Sequence, residues 1–152
     1  MNKRIILSII LLIILTSCQA ATPPPPITAS INDEFILASG QSATINGTDL
    51  TLHLITVSND QRCPSGIECA ISRPVSLSIS IQKGDNEPTE FFLQTFTDND
   101  GRAPEGPFEG IQDRVEYEGY IFRIKAVAPY PVNRTDTIKD SEYRVSFTVL
   151  SK

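Results

Sequence analysis

The side chains able to do chemistry are few. The 152 residues contain three cysteines, one histidine, one methionine and no tryptophan. That inventory excludes histidine-rich metal centres, paired-histidine catalysis and four-cysteine zinc sites, and it permits at most one disulfide with one cysteine left over. His53 falls beside Thr51 and Asp49 on the polar face of an alternating segment. With no second histidine and no cysteine nucleophile to spare, it reads as a surface residue and not as a general base. No Gly-rich phosphate loop, Ser-His-Asp order or G-x-S-x-G elbow is present. Carboxylates remain. Residues 85–118 hold ten acids against Arg102 and Arg114, a local charge of −8. Within them, Asp98 and Asp100 in Thr97-Asp98-Asn99-Asp100-Gly101 have the spacing of hard-cation ligands ahead of a glycine turn, and form the weak candidate metal pair. The register of a calcium loop fails, because Gly101 at the turn would make Phe96 the first ligand and Pro107 the last. The expectation is a solvated acidic loop without metal or other cofactor. Acid/base catalysis by these carboxylates is the least favoured reading.

The amino-terminal segment accounts for the third cysteine. Residues 1–17 read MNKRIILSIILLIILTS, with Lys3 and Arg4 ahead of a run dominated by Ile and Leu. A run of about 11 residues suits an export signal, whereas a membrane span needs about 20. Leu15-Thr16-Ser17-Cys18 resembles the lipobox of bacterial lipoproteins, in which a Leu stands three places before an invariant Cys and two small residues separate them. The resemblance implies cleavage before Cys18, a thioether-linked diacylglycerol on its thiol and acylation of the new amino terminus. Several acyl chains, at about 0.8 kcal/mol per buried methylene, anchor a protein stably where one is marginal. The expected location is the cell envelope, on the extracytoplasmic side of a bacterial membrane, with inner and outer membrane both open.

An exported chain meets an oxidising compartment. Cys63 and Cys69, five residues apart with Pro64 and Gly66 between them to bend the chain, are expected to form a local disulfide. A loop this small contributes about 2 kcal/mol in the chain-entropy model, so its use is to shape the loop. Loss of residues 1–17 removes the positive charges of Lys3 and Arg4 and takes the formal charge from −5 to −7. Four consecutive prolines at 23–26 favour a polyproline II spacer of about 3 Å per residue, long enough to lift a domain off a lipid surface. The expected organisation is a signal peptide over 1–17, a lipidated Cys18 with a Pro-rich tether over 18–33, and a folded domain over 34–152.

The elements that must position these groups are strands. Val75-Ser76-Leu77-Ser78-Ile79-Ser80-Ile81 alternates aliphatic and polar residues, the mark of a strand with one buried face. Similar patterns run over 35–38, 43–45, 50–57, 91–96, 120–127 and 143–150. Asn46-Gly47, Lys83-Gly84-Asp85-Asn86 and Glu118-Gly119 supply turns between them. The fold class is therefore all-β, an antiparallel β-sandwich or small barrel of seven or eight strands. Leu50, Leu52 and Leu54 share one phase and Ile55 and Val57 the other, which predicts a bulge or a strand passing between sheets.

Two aromatic residues are candidate binding groups. Phe108 sits in the long loop 102–113, where recognition on a β-sandwich usually lies. In Ala128-Pro129-Tyr130-Pro131, two prolines either stiffen the backbone so that Tyr130 is presented to a partner, or let it fold back over a sheet edge. Six basic residues against three acids follow residue 119, a patch suited to anionic headgroups or cell-wall polymers. Nucleic acid is excluded as a partner by the acidic balance and the lack of a motif.

Val57-Ser58-Asn59-Asp60-Gln61-Arg62-Cys63-Pro64, followed by Cys69, Gly119-Tyr120 and Pro129-Tyr130-Pro131, resembles a family of small uncharacterised bacterial lipoproteins with an Arg-Cys-Pro turn and a second Cys. The family usually continues after that Cys with an aromatic residue and Ala-Gly, where this chain has Ala70-Ile71-Ser72-Arg73-Pro74. The resemblance implies no particular reaction. The expectation is a lipid-anchored, non-catalytic binding or structural β-domain, with an envelope protein or cell-wall polymer as partner. The alternatives are an inhibitor of an exported protease or lysozyme, and an enzyme using the acidic-loop carboxylates.

Overall fold

The computed structural model describes residues 22–133 and 137–152. The signal segment and Cys18 lie outside the described residues. The described residues form nine strands: β1 Ile27–Ala29, β2 Glu34–Ala38, β3 Ser42–Ile45, β4 Leu50–Asp60, β5 Val75–Lys83, β6 Thr89–Thr95, β7 Arg114–Tyr117, β8 Tyr120–Ala128 and β9 Arg144–Ser151. A 3-10 turn, Asp140–Glu142, precedes β9. The strands lie in two sheets, one of five in the order β1-β3-β4-β5-β6 and one of four in the order β2-β9-β8-β7. No barrel closes, so the architecture is the sandwich.

Alternation decides which side chains enter the space between the sheets. Val75, Leu77, Ile79 and Ile81 of β5 are fully buried, as are Leu50, Leu52 and Leu54 of β4 and Phe122 and Ile124 of β8. Burying each such side chain contributes roughly 1.5–3 kcal/mol. Phe35 of β2 meets Phe147 of β9 at 6.3 Å between ring centres, and Phe91 of β6 meets Tyr117 of β7 edge-on at 5.9 Å, closing one flank of the sandwich.

The phase change in β4 is a bulge. Pairing with β5 skips Ile55 and then Ser58, so Val57 returns to the same core that Leu54 faces. β4 therefore stays in one sheet throughout. A second bulge between Ile124 and Ala126 does the same for β8, bringing Val127 inward. The Glu118-Gly119 turn joins β7 to β8 with φ of 51° and 82°, the left-handed pair that a two-residue hairpin requires.

Two expectations change. The strands number nine, and β1 runs parallel to β3 because the chain crosses to the other sheet as β2 and returns between them. The folded domain also begins before Glu34. Ala29 is buried, Ile27 and Ile31 pack on the core, and the Gln41 side-chain amide donates to the Pro25 carbonyl at 2.7 Å. The short Ile27-Thr28-Ala29 alternation, masked by the neighbouring prolines, is enough to add an edge strand.

Candidate functional site

β4 ends at Asp60, and the loop 61–74 that follows is held by a buried charge. The Arg62 side chain has no solvent exposure. Burying a guanidinium costs several kcal/mol unless its donors are met. Here Nε donates to Asp60 Oδ1 at 2.8 Å and Nη2 to Asp60 Oδ2 at 2.5 Å. Nη1 donates to the Val127 carbonyl at 2.7 Å and Nη2 to the Pro129 carbonyl at 2.8 Å. One side chain thus ties the end of β4 to the exit of β8. The Tyr130 ring lies 4.9 Å from the guanidinium carbon, and its hydroxyl donates to the Cys63 carbonyl at 2.7 Å. The Tyr143 hydroxyl donates to Asp60 Oδ2 at 3.0 Å. Burial first, and then the Asp60 charge, hold the Tyr143 phenol well above its ordinary value, so it stays a neutral donor.

The disulfide forms as expected, with Cα atoms of Cys63 and Cys69 6.0 Å apart. Its loop is also paired to the chain leaving β8. Ser65 N–H donates to the Pro131 carbonyl and Gly66 N–H to the Val132 carbonyl, both at 3.0 Å. A Cβ on Gly66 would stand 2.9 Å from the Val132 oxygen, so the close approach calls for glycine there. Tyr130 and the disulfide, separate candidates in the sequence, therefore share one pole of the sandwich. Tyr130 folds back as a brace and is half-buried. Among the described residues, the large apolar side chains exposed at this pole include Ile71 at 77% and Val132 at 53%.

Beside the pole, a cleft of about 290 Å³ opens between the end of β4 and the 3-10 turn, with Asp60, Pro131, Asp140 and Tyr143 in its walls. Asp140 Oδ1 accepts from Ser39 Oγ, Thr56 Oγ1 and Val57 N–H at 2.9–3.0 Å. The carboxylates of this cleft are engaged in holding loops.

The acidic segment is dispersed by the fold. Asp113 pairs with Arg114 and Arg123, Glu105 with Arg123 and Lys125, Glu116 with Lys152, and Glu118 with Lys83. Three of the basic residues that follow position 119, Arg123, Lys125 and Lys152, are counter-ions of acids before it. Asp98 Oδ1 accepts from the N–H groups of Asp100 and Arg102, so it shapes its own turn, and Asp100 points to solvent. Among the described residues, no group of three His, Cys, Asp or Glu is arranged to hold a metal ion. Phe108 is half-exposed and packs edge-on against Phe96 at 5.5 Å, beside a crevice of about 370 Å³ that includes Thr97, Arg102 and Pro104. His53, on the outer face of the larger sheet, pairs through Nδ1 with Ser42 Oγ at 2.9 Å.

Asp60, Tyr143 and Asp140 were not legible as members of a site. The available signal was the Asp60-Gln61-Arg62 spacing, in which alternate residues of a strand end carry opposite charges. Comparison with protein-family models, curated proteins and solved structures finds no match for this chain.

Proposed function

We propose that this chain is a membrane-anchored extracytoplasmic lipoprotein whose β-domain binds at the envelope through its disulfide pole and does not catalyse a reaction. One observation carries the binding reading: the polar groups of the pole, Asp60, Arg62, Tyr130 and Tyr143, are engaged with one another and with the loop backbone, which braces the disulfide loop and leaves Ile71 and Val132 exposed beside it. A pre-organised loop loses little conformational entropy on binding. The lipobox-like Leu15-Thr16-Ser17-Cys18 supports the anchor.

The test uses the full-length chain in detergent, immobilised through its carboxyl end, which leaves β9 at the opposite pole. Capture of one envelope component, whether lipid, protein or cell-wall polymer, lost in an Ile71→Asp, Val132→Asp variant that still folds, is the expected result. Capture unaffected by those changes refutes the site. For the anchor, Cys18→Ala should abolish incorporation of labelled palmitate and release the protein from the membrane fraction; retention there refutes lipidation.

A second reading, inhibition of an exported protease or lysozyme, draws on the same rigid disulfide loop, which has the form of an insert for a cleft. Titrating the protein into exported hydrolases and measuring residual activity tests it. The enzyme reading has least support, since Asp98 is occupied by its own backbone turn.

A further inference from the structure

The 23–26 prolines were expected to stand the domain away from the lipid surface. In the structure they run along the domain itself. From Thr22 onward the chain lies against the domain. Thr22, Pro23 and Pro24 form one wall of a crevice of about 340 Å³ whose other wall includes Ser39, Ile55 and Ser141. Pro25 is held by the Gln41 side chain, and Ile27 enters β1. A docked segment cannot serve as a spacer.

Its direction is set by register. β1 runs parallel to β3, and β3 starts beside the turn at Gly40. Read backwards from Ile27, the prolines therefore head toward the pole that carries the 3-10 turn and the disulfide loop. Gln41 is level with Leu54, because each bonds the other through Leu54 N–H and the Gln41 carbonyl. From Leu54, β4 continues to Asp60, about 13 Å farther, because its two bulges leave this stretch opposite only the four steps from Ile79 to Val75 of β5. Thr22 already lies alongside Ile55 and Ser141, past the Gln41 level. Four residues separate it from Cys18, a reach of at most about 14 Å. At full stretch that reach ends about level with the disulfide loop.

We infer that the disulfide pole rests on the membrane surface, with Ile71 and Val132 entering the interfacial layer, so that the lipid bilayer is the surface this pole binds. This inference rests on lipidation at Cys18. The anchor sets the distance, the docked prolines set the orientation, and the exposed apolar side chains lie where the lipid would be. Arg73, exposed two residues beyond Ile71, is placed to meet phosphate headgroups.

The chain contains no tryptophan, which gives a dark background for a depth measurement. Ile71→Trp places a reporter at the pole, and Asn86→Trp places one in the turn between β5 and β6, a β5 length of about 30 Å away. Each lipidated full-length variant is reconstituted into vesicles of phosphatidylglycerol and phosphatidylcholine brominated along the acyl chain, and flotation is measured on the same samples. The expected result is flotation of both, with the Ile71→Trp emission quenched by roughly half or more, as for a side chain about 5–10 Å into the headgroup and acyl boundary. The Asn86→Trp emission should be unchanged. A ten-residue Gly-Ser insertion after Ala20 should relieve the quenching without loss of flotation. Flotation with both reporters unquenched overturns the orientation and leaves the anchor standing. Failure to float overturns the anchor, and the inference with it.

Discussion

Replacing Arg62 tests the account of the pole most directly. In Arg62→Ala, Asp60 keeps its carboxylate in a nearly buried position with the Tyr143 hydroxyl and one backbone N–H, and the Val127 and Pro129 carbonyls lose their donor. Breaking a buried pair by removing one partner costs about 3–5 kcal/mol. That is a large part of the roughly 5–15 kcal/mol by which a domain is stable. For a domain of this size, where each kcal/mol moves Tm by about 4 °C, the variant should melt roughly 12–20 °C lower, followed by circular dichroism of the sheet signal. The double variant Asp60→Leu, Arg62→Met removes both charges and keeps the volume, and should recover most of the loss, since an apolar pair of similar size is about neutral in such a place. Hydrogen exchange gives the local readout: the Ser65 and Gly66 amides should lose protection in the single variant ahead of those in β5. A single variant within about 1 kcal/mol of the parent, or a double variant no better than the single, would refute the claim that this ion pair holds the pole.

Three further outcomes follow from the same geometry. Tyr143 has a folded-state value raised above its unfolded value near 10, so the stability it confers is complete below that pH and is lost as pH rises beyond it; Tyr143→Phe should show a shallower fall in urea midpoint above pH 10 than the parent. Gly101 has φ of 79° and its hypothetical Cβ would lie 2.5 Å from the Val127 carbonyl, which the Arg62 guanidinium also binds, whereas Gly47 has φ of 78° with open space around it. Gly47→Ala should cost only the left-handed penalty of about 1–2 kcal/mol and Gly101→Ala distinctly more, with equal losses in chemical denaturation counting against the close approach. Cys63→Ser with Cys69→Ser should lower stability by about 2 kcal/mol and leave unfolding two-state, because Arg62 and the pairing to Pro131 and Val132 still hold the loop; collapse of the fold would show that the disulfide is the principal tie.

The fold was legible because its signals are local. Val75 to Ile81 alternate with the period of a pleated strand, and nothing beyond seven adjacent residues is needed to see which face is buried. Cys63 and Cys69 lie so near in the chain that their pairing needs no knowledge of the fold. Glu118-Gly119 marks its hairpin by itself. The jump in phase at Leu54 was visible too, although whether it meant a bulge or a change of sheet depended on β5 as partner.

What the chain alone left open depended on groups far apart in sequence. Tyr130 had two readings, and the one that holds is decided by the Cys63 carbonyl, 67 residues away. Residues 85–118 read as a solvated acidic loop, and only the fold brings Arg123, Lys125 and Lys152 across from the later strands to meet Asp113, Glu105 and Glu116. The prolines have the composition of a spacer, and only the fold sets Pro24 and Pro25 beside Gly40 and Gln41 of the turn after β2. Composition and periodicity determine which residues seek the core and where the chain turns, since those are properties of neighbours along the backbone. Which buried charge meets which acceptor, and which way the chain before β1 runs, are properties of neighbours in space, and only the packing of the two sheets decides them.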